Sequence, residues 1–522
     1  MSEEKSGAVV HPKGEEENPE LSYPAVRRVE TFGGSVEVRW AEDGGMSLHG
    51  PLTYFVEFLK VTGVWERFVA GCPLSYTSPN APTKNEILGT ILFSVLNGHR
   101  RYAHITGLRG DDVLAKMLGI EQFRSEDSVR RAFEKQDEES LTLWLDQSMN
   151  ETYEALVEQE WILDVDATVK TLYGRQEEAK VGYNPVKPGR PSHVYHAMLF
   201  TAAKLIVNVD VQAGNQTAST YGVPTLLGWL DARERRYWPS LVRGDCGHGN
   251  EELMAACEQR ELCYLFKLRR SKGVQDLVKQ LGRSGAAWRD AGQGWEGVLH
   301  HLQLHGWSRA RPVLVTRRRS KNPGEAPSSS GQLSLPGLVI EQGKGQWYEY
   351  SVLVTTWPET NVRAIAQLYR DRGDAQNQFD ELKNQWGWRG FSTADLKRSQ
   401  LMARIVALIF NWWSIYTRMA TGPTHGEAIT TRPLLQQGVA RATTHANRTQ
   451  LTIASVHAKA KKIANLLTNI SQWLTRFLAS AEQLSGVALW HSILRRIFQD
   501  FGRFPFDQAA SRVQLADSNR RI

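Results

Sequence analysis

The chain has 522 residues, 41% hydrophobic and 23% charged, which supplies apolar material for roughly two or three domains and excludes a disordered or fibrous protein. Its net charge of +7 is modest for this length and alone points only weakly to nucleic acid. No run of about eighteen uncharged apolar residues occurs and the N-terminus is acidic and polar, so neither a membrane span nor a secretory signal is expected. The expected location is the cytoplasm.

Residues 1–25 hold too little apolar material to offset the entropy of ordering and are expected to be disordered. From 26 to 150 the pattern is helical, and its most informative stretch is GDDVLAKMLGIEQFRSEDSVRRAFEKQ. Val113, Leu114, Met117 and Leu118 form an apolar stripe that Gly119 ends. Ser125, followed by Glu126 and Asp127, has the form of an N-cap with an acidic first turn. Two short helices with a turn between them are expected. The second would carry Arg130 and Arg131 outward beside inward Val129 and Phe133, the form of a helix-turn-helix reader of DNA or of an ordinary packed pair.

From 151 to 271 strands and helices alternate. WILDVDATVKTLY is one strand, HVYHAMLFTAAKLIVNVDVQAG two more, TYGVPTLLGWLDARERR a helix, YWPSLVRGDCG a strand, NEELMAACEQREL a helix and CYLFKLRR a strand. Residues 272–346 break this rhythm with glycine, proline and serine and separated strand-like runs, so a β-rich insertion is expected there, with KNPGEAPSSSGQ as a loop. The core resumes at 347–420, first as the strand WYEYSVLVTTW and then as helix. Residues 421–522 are expected to be a helical C-terminal region. Basic clusters fall at RRRSK (317–321), HAKAKK (457–462) and LRRIF (494–498), which suits a surface that tracks a phosphate backbone. The four cysteines show no C-x-x-C spacing, so a zinc site or disulfide framework is not expected.

Acidic residues fall where metal chemistry would want them. The two-residue period of a strand puts Asp164 and Asp166 on one face of the first core strand, and Asp245 closes another strand just before a loop and helix. Further on, YRDRGDAQNQFDELKNQWGW continues a helix. At about 100° per residue, Tyr369, Arg372, Gln376 and Lys383 lie within an arc of about 60°. That face carries an aromatic, two cations and an amide. Two-metal phosphodiester chemistry needs carboxylates to hold the ions and cations to hold the phosphates, yet the central position is Gln376.

DVDATVKTLYGRQEEAKVGYNP, LVRGDCG and YRDRGDAQNQFDELK resemble the three catalytic blocks of DDE transposases of bacterial insertion sequences. The likeness is to the insertion sequence 4 superfamily with its Y-x2-R-x3-E-x6-K signature, nearest the insertion sequence 1380 group. The signature falls on Tyr369, Arg372, position 376 and Lys383, with only the glutamate changed. The resemblance implies an RNase H-like α/β core with a β-rich insertion, a helical N-terminal DNA-binding domain and a helical C-terminal region. It implies Asp166, Asp245 and position 376 as catalytic, metal-binding positions. Asp166 is preferred to Asp164 because a small residue and a threonine follow it, and Asp164 stays as a supporting candidate. It further implies Mg²⁺, or Mn²⁺ in its place, and Tyr369, Arg372 and Lys383 on the DNA end. The partners implied are terminal inverted repeats and target DNA as duplexes, with a homodimer in the synaptic complex. Of the five tryptophans at 288, 295, 307, 347 and 357, most are expected in the core of a small β subdomain, with one free to stack on a displaced base. Three explanations of Gln376 stand: an inactivating substitution, decay of an element copy, or transfer of the acid's role to Asp380. A catalytically inert DNA-binding descendant is the alternative function.

Overall fold

The computed structural model describes residues 26–40, 44–78, 80–320, 338–341, 346–357, 361–446, 448–481, 484 and 486–499. The expected disorder of 1–25 and the loop at 321–332 lie outside them. The chain divides into a small N-terminal unit ending at Gly45 and a large one from Met46 onward. In the first, Arg27–Thr31 and Gly34–Val38 pair as an antiparallel hairpin, where helix was expected. Val29, Val36 and Val38 alternate with polar residues, and Gly34 takes φ +111°, which a side chain would resist.

Five strands carry the site: β1 (Ile162–Thr171), β2 (Pro191–Phe200), β3 (Leu205–Ala213), β4 (Leu241–Gly244) and β5 (Cys263–Lys267). Their order is β3-β2-β1-β4-β5, antiparallel from β3 to β1 and parallel from β1 to β5. The two parallel pairings need crossovers, supplied by the helices Val223–Asp231 and Glu251–Gln259. β4 is buried throughout and reads as an unbroken apolar run except for Arg243.

The insertion is not a separate subdomain. Lys272–Arg283 is a helix, as Val274, Leu277, Val278 and Leu281 at helical spacing require, and it corrects the strand-like expectation for that segment. Then β6 (Trp295–Leu302), β7 (Arg311–Ser320) and β8 (Trp347–Thr355) run antiparallel. β8 pairs with β5 through Leu353 and Lys267, so insertion and core form one eleven-stranded mixed sheet.

Helices α1 (Val362–Arg370), α2 (Gly373–Gln385) and α3 (Leu396–Thr421) follow. α1 packs Val362, Ile365 and Leu368 on a sheet face made by Ile162, Leu241, Leu265 and Leu353. α3 is apolar almost all round and is buried along nearly its whole length. Its polar groups cover the open edge of β3. Asn411 accepts from the Ile206 amide and donates to the Ile206 carbonyl, each at 2.8 Å, while Arg404 donates to the Val209 carbonyl at 3.0 Å. Helices from the N-terminal region share this core. Phe55 meets Trp413 and Tyr416, and Phe68 meets Trp412.

The C-terminal region is not wholly helical. Ala440–His445 and Arg448–Ile453 form a hairpin whose threonine-rich strands favour extended backbone, and helices Ala460–Ala481 and Gly486–Ile497 follow it. Among the described residues no helix is long and apolar enough to cross a membrane.

Candidate active site

The register of two strands brings the first two acids together. β1 and β4 are parallel, with Val165 opposite Gly244, so the next residue on each, Asp166 and Asp245, meet where the two strands leave their ladder. One pair earlier, Asp164 faces Arg243 and accepts two hydrogen bonds from it, at 2.8 and 2.7 Å, with both side chains buried. Asp164 is thus committed to an ion pair within the sheet, and Arg243 also donates to the Leu368 carbonyl in the last turn of α1.

Asp166 takes the amide of Ala167 on one oxygen and Arg372 on the other, the latter at 2.9 Å. Asp245 accepts from the Gly247 amide at 2.9 Å and lies 3.0 Å from Nδ1 of His248. The Gly244 position explains part of LVRGDCGHG: a Cβ there would come within 2.8 Å of His248 Cβ, so only glycine lets the histidine fold back over the strand end. Burial and the neighbouring Asp245 push the Asp166 carboxyl up. Asp245 is also buried, but the His248 hydrogen bond and the Arg372 charge outweigh that and hold it well below the usual carboxylate range.

The signature residues reach the same cleft. Its volume is about 300 Å³, and Asp166, Asp245, Tyr369, Arg372, Gln376 and Lys383 all line it. They do so from two helices rather than one. α1 ends at Arg370 and α2 begins at Gly373, with Ala375 N to Arg372 O at 2.9 Å and Asp374 N to Asp371 O at 3.2 Å tightening the join. Arg372 is buried between them and also donates to the Val165 carbonyl at 3.4 Å.

The setting of α2 is fixed from behind. Glu381 is buried and accepts from Trp386 Nε1 at 3.1 Å and the Ala428 amide at 3.0 Å, with His425 Nε2 at 2.7 Å. That side chain faces inward, opposite to Gln376. Asp380 pairs with Lys383 at 3.1 Å and is not a lining residue, whereas Gln376 lines the cleft. Among the described residues no three His, Cys, Asp or Glu side chains are grouped to hold a metal ion. Three acids line the cleft; Glu349 is paired with Arg318 at 2.8 Å, while Asp166 and Asp245 with the Gln376 carbonyl make an incomplete but compatible oxygen set for a divalent cation.

Several lining groups carry no sequence signal of their own. Lys267 ends β5 just as Asp245 follows β4, and burial lowers its pKa. Arg370 and Arg389 add charge to the wall, and Arg389 donates to the Val169 carbonyl at 3.3 Å. Burial also lowers the Lys383 pKa, against the pull of Asp380. All five insertion tryptophans are only partly buried, not core. Trp295 alone of them lines the cleft, with the Arg318 guanidinium 4.8 Å from its ring, whereas Trp288 stacks under Arg317 at 4.0 Å. Arg130 and Arg131 lie elsewhere, on the helix Glu126–Ala132, and both pair with Asp127, at 2.7 and 3.5 Å. Ser125 caps that helix as expected.

Residues 32–475 match the family described as transposase DDE domain group 1. The chain belongs to this family. DDE transposases use divalent metal ions to cleave and join DNA, which suits carboxylates on adjacent strands beside a cationic wall. Among solved structures, this transposase is similar to piggyBac transposase, described in a synaptic complex with hairpin DNA. The identity is 13% and the TM-score 0.36, over 88% of this chain and 87% of that one. No curated protein matches it.

Proposed function

We propose that this chain is a cut-and-paste transposase of an insertion sequence of the Y-R-E-K kind, impaired as it stands. The observation that carries the proposal is the meeting of Asp166 and Asp245 with Tyr369, Arg372, Gln376 and Lys383 in one cleft. The strand order β3-β2-β1-β4-β5 supports an RNase H-like core, with Asp166 within β1 and Asp245 just past the end of the adjacent parallel strand β4. Asp166 and Asp245 would hold Mg²⁺, or Mn²⁺, and the metal would supply an activated water or 3′-OH for attack on a phosphodiester. Arg372 and Lys383 hold the phosphates of the terminal inverted repeat, and Tyr369 lies against the DNA end. Trp295, on the same cleft, is the surface offered to a displaced base. The helix pair at 112–117 and 126–132, with Arg130 and Arg131, reads the element's end, and two subunits hold two ends.

Gln376 offers a neutral carbonyl where the metal needs an anion, so the chain as written binds DNA and cuts it weakly. Gln376→Glu should raise Mg²⁺-dependent cleavage of terminal-repeat DNA by at least tenfold. Equal cleavage by both forms would move the third acid's role elsewhere. The second reading, an inert DNA-binding descendant, is favoured by the same amide. It predicts that Gln376→Glu binds terminal-repeat DNA and still does not cut it.

A further inference from the structure

The chain's positive excess has an address. Between Ala428 and Ala481 there are seven Lys or Arg residues and no Asp or Glu, and seven is the net charge of the whole chain. Within that stretch, Ala440–His445 and Arg448–Ile453 make an antiparallel ribbon. Its register sets Arg441 opposite Thr452, Thr443 opposite Gln450 and His445 opposite Arg448. Because successive residues alternate, these six side chains share one face, and all six are exposed. The other face holds Ala440, Ala442, Leu451 and Ile453, each buried or half-buried.

The root of the ribbon is fixed. Met46–Ser47 pairs with Ala440 and Arg441, and Ser47 Oγ donates to Asp111 Oδ2 at 2.6 Å. Asp111 is the N-cap of helix Asp112–Met117, the first of the two helices proposed to read DNA. The ribbon therefore stands beside that pair while its outer face remains open to solvent.

An exposed face of two arginines, a histidine, a glutamine and two threonines, with no acid and no large apolar group, is a poor surface for docking protein. It is well made for nucleic acid: arginine and glutamine hydrogen-bond base edges, arginine and threonine hold phosphates, and a two-stranded ribbon fits the major groove. We infer that this ribbon is a second DNA-contacting element, laid in the major groove of a duplex with Arg441 and Arg448 against it. The inference rests on the DNA-binding part of the proposed function but not on the cleft.

The test uses the full chain and a labelled mixed-sequence duplex of about three helical turns, titrated at several salt concentrations. Arg441→Ala with Arg448→Ala should weaken binding about tenfold or more. It should also flatten the slope of log affinity against log salt by about 2, since each phosphate contact contributes about 0.9. Arg441→Lys with Arg448→Lys should restore most of both, which separates lost charge from lost fold. If the alanine variant keeps the affinity and slope of the unaltered chain, this inference alone is overturned. It is overturned too if both variants bind weakly with an unchanged slope. Failure of the unaltered chain to bind any duplex would overturn the DNA-binding reading along with it.

Discussion

Arg372 is the residue on which the cleft depends electrically. Buried, and 2.9 Å from Asp166, it sets a positive charge against both Asp166 and Asp245. In a Gln376→Glu background, Arg372→Ala and Lys383→Ala should each reduce terminal-repeat cleavage at least a hundredfold while duplex binding persists. Cleavage equal to the parent would mean that these two do not hold the scissile phosphate. Asp164 makes the opposite prediction. Because it is wholly buried on Arg243, Asp164→Asn should cost about 3–5 kcal/mol by leaving a guanidinium without its partner. Urea unfolding would measure that loss, and adding Arg243→Met should recover part of it. The acids were legible one by one, since period marks Asp164 and Asp166 and strand-end position marks Asp245. The choice between Asp164 and Asp166 was not legible from period alone, because the two share a face; the pairing with Arg243 separates them. His248 was not legible either, since its approach to Asp245 depends on the missing side chain at Gly244.

At the level of elements, strands and helices between 161 and 270 follow their sequence closely because each has a clear period. The misreadings lie where period and context disagree. Lys272–Arg283 has a strong helical stripe but sits among glycines and strands, and the hairpin 440–453 is polar on its outer face, so its alternation carries little apolar contrast. The break between α1 and α2 has no proline, and Gly373 alone hints at it; Asp371 and Arg372 keep helical angles, and the tighter hydrogen bonds mark the join. Asn411 was equally hidden, an amide in an apolar helix. Its side chain serves both the amide and carbonyl of Ile206 and also reaches Thr152 Oγ1 at 2.8 Å. Asn411→Ala should therefore destabilise by about 3 kcal/mol or more, as unsatisfied buried groups cost about 1–3 kcal/mol each. Denaturant unfolding measures it, and Asn411→Leu should be no better.

For the whole molecule, acid is the exposed weakness. Burial pushes His99 and His196 down to about 4, with His104 and His248 respectively adding to the effect. The unfolded histidines titrate near 6.5, so below that pH the unfolded chain binds protons that the folded chain refuses. Their stabilising contribution is complete above about pH 6.5 and is lost as pH falls towards 4. For the well-buried His196 the loss is about 3 kcal/mol. Thermal melting between pH 7 and 4 should fall steeply, and His196→Gln should make the fall shallower. An equal slope in both proteins would show that other groups govern acid unfolding.

The pairing of β8 with β5 ties the sheet side of the cleft into one piece. Thr316, Ser351 and Leu353 on one wall and Asp245 on the floor belong to, or directly follow, strands of one hydrogen-bonded ladder. The walls cannot swing apart at that seam without rupturing backbone bonds, so the chain behaves there as a die and a bound duplex as the metal pressed into it. On the proposed reading, the mechanical load of fitting a terminal nucleotide falls on the nucleic acid. Element ends that open with a pliant pyrimidine–purine step should then be cut faster by the Gln376→Glu protein than ends of stiff A-tract sequence, even where no side chain touches the altered bases.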